Sequence, residues 1–182
     1  MLLLFLRLAE SKKIKLVFPS FILSEPFEAV ARERRERNNL YTELVTTLKK
    51  LQRSEGLKKE MIDLAVAADI LIDVYARQMS LLHSTFDKLL STGECIEINI
   101  ANFREAIKYQ PNLSPQDSII YAAIVNDLKT RSKEEKKCFL SRDEKAFEKP
   151  NIKQELGTYN CRYIGNFNDG LQFIRNSIQK QV

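Results

Sequence analysis

Two rhythms of apolar spacing alternate along this chain. Residues 2–11 carry their apolar side chains at helical spacing. "IKLVF" (14–18) is instead a short β-branched apolar run, the pattern of a buried strand. Pro19 and Ser20 then open a helix through "FILSEPFEAVARERRERNN", which Pro26 bends or splits near its first turns. Residues 40–52 and 57–91 read as two more helices, separated by a break around Ser54 to Gly56. "CIEINI" (95–100) alternates as a strand does, "ANFREAIKYQ" is a short helix and "PNL" a turn. "PQDSIIYAAIVNDLKTRS" is a helix, "SKEEKK" a charged loop and "CFLS" (138–141) a third strand. "RDEKAF" is a turn or two of helix, and "NIKQELGTYN" a short helix ended near Gly157. "CRYIG" is a fourth strand and "NDGLQFIRNSIQ" a terminal helix. Strands alternating with helices imply an α/β fold with a largely parallel sheet covered on both faces. Without repeats, low-complexity segments or clear linkers, the chain reads as a single domain over residues 1–182.

Composition narrows the class. The 182 residues are 44% apolar and 29% charged, with 5 Gly and 5 Pro, an ordinary helix-rich globular balance. The formal net charge of +5 permits an anionic partner without demanding one. Cys95, Cys138 and Cys161 form neither a disulfide framework nor a CxxC zinc pattern, so a reducing cytoplasm is the simplest compartment. His83 is the lone histidine, which excludes His-rich metal sites and leaves any metal to carboxylates, hence Mg²⁺ or Mn²⁺. The apolar run of "MLLLFLRLAESKK" ends at Arg7, too short for a membrane span, and it lacks the basic leader and cleavage site of a signal peptide.

The candidate chemistry lies in acids at strand-to-helix junctions. Glu25 falls on the first turns of the helix after "KLVF", Asp143 lies just past "CFL", and Asp117 stands three residues after Ser114 at another helix start. Active crevices of parallel sheets open beyond the carboxyl ends of the strands. Three carboxylates converging there raise each other's pKa unless a cation joins them, so they form a candidate divalent metal site. Taken singly, each has a plainer reading. Asp117 completes a Ser-x-x-Asp cap, Ser141 to Glu144 offers a similar box, and Glu25 suits a surface. Asp69 and Asp73 share a helix face four residues apart. With no Glu-x-x-His partner, they read as exposed or salt-bridged. "ARERRERNN" reads as a solvated helix face.

Three stretches, "LVFPSFILSEPFEAV", "LSPQDSIIYAAIVNDL" and "CFLSRDEKAFEKPNIKQELGTYNCRYIGNF", together resemble the PIN-domain family of nucleases, over residues 1–35 and 95–175. The resemblance implies a Rossmann-like, three-layer α/β/α sandwich in which residues 40–91 form an enlarged helical insertion. It implies an acidic pocket for Mg²⁺ or Mn²⁺ and metal-dependent hydrolysis of RNA, with Glu25, Asp117 and Asp143 matching three of the family's four acids. Ser141 matches a polar residue before the last acid, and Arg142 and Lys145 are the nearest cations for an RNA backbone. Many members are toxins paired with an antitoxin, and many dimerise; none of this calls for a membrane. Family members begin with a strand ending in Asp, whereas Met1 here already lies inside the first helix. The expectation therefore divides. If a longer native chain supplies that acid, the protein is an endoribonuclease; if not, it is a degenerate PIN-like module that binds RNA or protein.

Overall fold

In the computed structural model, residues 2–51 and 58–179 are described. The chain is mixed α/β and mostly helical, with short parallel strands in two small sheets. It divides into two compact units, residues 1–22 with 89–182 and residues 23–88.

The first unit opens with α1 (Leu2–Glu10). Its end is a Schellman turn: the Lys13 N–H donates to the Leu8 carbonyl at 3.0 Å and the Lys12 N–H to the Ala9 carbonyl at 2.9 Å. Lys12 takes the left-handed conformation, φ 55°, that glycine usually supplies there. β1 (Val17–Pro19) pairs in parallel with β2 (Glu94–Ile96). The strand expected over 14–18 is therefore shorter and later. Its pairing still begins at Leu16, whose carbonyl accepts from the Glu94 N–H at 2.8 Å. The second half of "CIEINI" is not strand. Asn99, still extended in backbone, caps α4 (Ile100–Ala106): its side chain accepts from the Asn102 N–H and its own N–H donates to the Asn102 side chain.

α5 (Pro115–Thr130) is the hub of this unit. Its buried positions run Ser118, Ile120, Tyr121, Ala122, Ala123, Val125 and Leu128, more than one helical face. A helix buried on several sides needs neighbours on several sides, and α5 touches α4, β1 and β2. The small Ala122 and Ala123 on α5 and Ala106 on α4 suit close backbone approach. An ion pair from Lys129 to Glu105 at 3.2 Å ties the two helices at the rim.

β3 (Lys137–Leu140) and β4 (Cys161–Ile164) form the second parallel pair. α6 (Glu144–Phe147), α7 (Pro150–Gly157) and α8 (Phe167–Gln179) surround it. Tyr121 meets Phe139 at 6.5 Å and Phe147 at 6.1 Å, and Phe139 stacks edge-on against Phe147 at 5.0 Å. These rings join α5 to β3 and α6 in the main core, with Leu156 fully buried beside them. Burying each such side chain contributes about 1.5–3 kcal/mol.

The expected single, mostly parallel sheet is realised as two parallel pairs, β1–β2 and β3–β4, among the described residues. Each strand is only three or four residues long.

The second unit is a helical hairpin of α2 (Ser24–Leu51) and α3 (Lys58–Thr92), whose last residues, from Leu89, belong to the first unit. α2 runs unbroken through residue 40, where a boundary is expected from sequence, and Pro26 sits in its first turn, where it does not break the helix. A 3₁₀ turn (Ser20–Leu23) precedes it. The helices are antiparallel: Phe27 packs on Phe86 at 5.0 Å, and the Arg34 guanidinium lies 4.5 Å over the Tyr75 ring. Further along, Gln78 links Arg37 and Glu33. His83 stands 6.1 Å from Phe27 in this hairpin. Asp73 is exposed, as expected, while the side chain of Asp69 and the break around Ser54 to Gly56 lie outside the described residues.

Candidate acidic site

Asp117 and Asp143 belong to the first unit and Glu25 to the second. Each begins a helix. Ser114 caps α5: the Asp117 N–H donates to the Ser114 hydroxyl at 3.1 Å, and that hydroxyl donates to the Asp117 carboxylate. Pro115 follows at the first helical position, where its missing N–H costs nothing. Asp143 caps α6, its carboxylate accepting from the Ala146 N–H at 2.9 Å. Here the expected box beginning at Ser141 is displaced by two residues. Ser141 instead accepts from the Asp143 N–H at 3.2 Å, which aligns Asp143 for the capping role. Glu25 is exposed in the first turn of α2.

The elements that carry Asp117 and Asp143 are packed together. One turn after Asp117, Tyr121 contacts Phe147 at the end of Asp143's own helix. Lys149 donates to the carbonyl of Asn112, just ahead of α5. The end of β3 also gathers Glu144 and Glu148. The Tyr163 phenol, which donates to the Ser141 carbonyl at 3.1 Å, is held above its ordinary pKa first by burial and then by Glu144, Glu148 and Asp143. Arg142 and Lys145 are exposed beside these acids.

Chemistry at this edge is limited by how the donors are used. Both aspartates are drawn into bonds with their own helix starts, and among the described residues no three of His, Cys, Asp and Glu come together to hold a metal ion. The described donor set does not fit the Mg²⁺ or Mn²⁺ site that the family resemblance implies.

The structure also assembles a polar cluster that sequence reasoning missed. Glu155 on α7 accepts from the Tyr109 hydroxyl and from the Tyr121 hydroxyl, each at 2.9 Å, one phenol per carboxylate oxygen. The two rings meet edge-on at 4.8 Å. Burial, and then the Glu155 carboxylate, push both phenols above their usual pKa, so they stay protonated donors. No local motif signals this trio, because Glu155 lies 34 residues from Tyr121 and 46 from Tyr109. It clamps α7 to α5, and its carboxylate is engaged on both oxygens by phenol donors.

Among the described residues, no helix is long and apolar enough to cross a membrane. In comparisons with family models, curated proteins and solved structures, nothing matches this chain.

Proposed function

We propose that this chain is a catalytically degenerate PIN-like module that binds a macromolecular partner rather than cleaving RNA. One observation carries this reading: Asp117 and Asp143 are each engaged at their own helix start, with no third ligand joining them among the described residues. Two carboxylates already accepting hydrogen bonds hold a hard divalent cation weakly, since such ions need several oxygen ligands in defined geometry. The net charge of +5 is compatible with an anionic partner.

The alternative, a Mg²⁺- or Mn²⁺-dependent endoribonuclease of the toxin kind, is favoured by the placement of Asp143 just past the carboxyl end of β3. Calorimetric titration with Mn²⁺ and a cleavage assay on end-labelled RNA separate the two. The binding reading expects no tight stoichiometric Mn²⁺ site and intact RNA. A tight one-to-one site and metal-dependent cleavage, both lost in Asp117→Asn, would overturn it in favour of the nuclease.

A further inference from the structure

The β3–β4 pair has an open outer edge set between two helices. Lys137 pairs with Cys161 and Leu140 with Ile164 in this parallel register. The Lys137 N–H donates to the Asn160 carbonyl at 3.0 Å, and the Ser141 N–H to the Ile164 carbonyl at 3.3 Å. These two bonds set the alternation of the ladder. Arg162 and Ile164 turn their backbone groups toward β3, so Cys161 and Tyr163 turn theirs to the outer edge. Among the described residues no strand lies there. What does lie there is a groove of about 780 Å³, lined by Arg162 and Tyr163 on β4, Lys153 and Gly157 on α7, and Phe173 and Asn176 on α8. That volume is within the ~300–1,000 Å³ typical of binding clefts.

The groove is positively charged. Lys136, Lys137, Lys153 and Arg162 line it against Glu148 and Asp169. Glu148 is neutralised by Lys153 at 2.9 Å, and Asp169 accepts from the Asn166 side chain at 2.7 Å. The Lys137 ammonium is held by the carbonyls of Ser132, Glu135 and Tyr159, which do not cancel its charge. Lys136 and Arg162 are exposed and make no ion pair among the described residues. Cations along an edge repel a second copy of the same edge, yet attract carboxylates.

We propose that the outer edge of β4 takes an extended acidic peptide segment of a partner protein by strand addition. The segment's backbone pairs with the outward-turned N–H and C=O groups of Cys161 and Tyr163, and its carboxylates meet Lys136 and Arg162. This inference rests on the binding reading above and names the partner's chemistry.

The test is an NMR titration of the full chain with an acetylated, amidated heptapeptide alternating glutamate and valine. The amides of Cys161 and Tyr163 shift and gain protection from hydrogen exchange. A Lys136→Glu/Arg162→Glu double variant, whose circular dichroism matches the parent, binds about tenfold more weakly or worse. The same peptide N-methylated along one backbone edge does not bind. Equal affinity for a lysine–valine peptide would overturn the proposal. So would the absence of β4 shifts, protection arising from peptide-independent dimers, or a single-stranded RNA that occupies these amides while the peptide does not. The Mn²⁺ titration is read separately, so failure of the peptide experiment is distinct from failure of the binding reading.

Discussion

Removing one hydroxyl from Tyr121 tests whether the Glu155 cluster holds α5 to α7. Tyr121 is 0% exposed, and its hydroxyl meets a carboxylate oxygen at 2.9 Å. A hydrogen bond to a charged group contributes about 1.5–3 kcal/mol net. Glu155 is half-buried and keeps the Tyr109 donor on its other oxygen, so Tyr121→Phe does not strand the carboxylate. The lower figure applies, about 1.5 kcal/mol. At about 2–4 °C per kcal/mol for a chain of this length, Tm falls by about 3–6 °C. Tyr109→Phe costs about 1 kcal/mol, because that phenol is nearer solvent. The double variant removes both donors from a carboxylate facing the core, and its loss exceeds the sum by about 1 kcal/mol. Urea and thermal unfolding, followed by circular dichroism, measure all three. A Tyr121→Phe protein that melts with the parent, or a strictly additive pair, would refute the reasoning.

Other outcomes follow from the same geometry. A Cβ on Gly170 would stand 2.3 Å from a Leu140 methyl, whereas one on Gly157 would meet nothing within 4 Å. Gly170→Ala is therefore expected to destabilise by about 1–3 kcal/mol, and Gly157→Ala to stabilise by about 0.4–1 kcal/mol, both read by urea midpoints. Lys12→Gly, at the left-handed end of α1, should raise stability by about 1 kcal/mol in the same assay. Burial pushes the Cys138 thiol up to about 11 and the Cys161 thiol up to about 12, while Cys95 is exposed. Iodoacetamide at about pH 8 should alkylate Cys95 first and the other two only on unfolding, as peptide mass spectrometry would show. Bonding to Lys108 and then Lys129, against an opposing effect of burial, lowers the Glu105 carboxyl below its usual 4.5. Its contribution is thus complete above that pH and lost as pH falls through the lower folded value. Glu105→Gln should flatten the acid limb of the stability–pH curve, and an unchanged limb would contradict the assignment.

Local patterns made much of the secondary structure legible. The start of α5 was readable because Ser114, Pro115 and Asp117 act within one turn. β3, β4 and α8 fall within a residue or two of where periodicity places them. The left-handed turn after α1 was hidden, because lysine stands where glycine usually announces it. The merging of residues 24–51 into one helix was hidden too: the polar surface around residue 40 resembles a boundary until Arg34, Arg37 and Glu33 find Tyr75 and Gln78 on α3.

The candidate site shows the same division. Residue types and spacing marked Glu25, Asp117 and Asp143 as acids at helix starts, and capping needs only neighbours three residues away. Whether such acids share an ion depends on contacts between distant segments, which no spacing encodes. Folding engaged Asp117 and Asp143 at their own caps and set Glu25 in the other unit. It also made a clamp of Glu155 with Tyr109 and Tyr121, and turned the backbone of Cys161 and Tyr163 toward an open edge. Helix starts, strand runs and their capping residues follow from interactions short along the chain. The pairing of strands and the partners of each carboxylate follow from packing, which brings together groups that are remote in sequence.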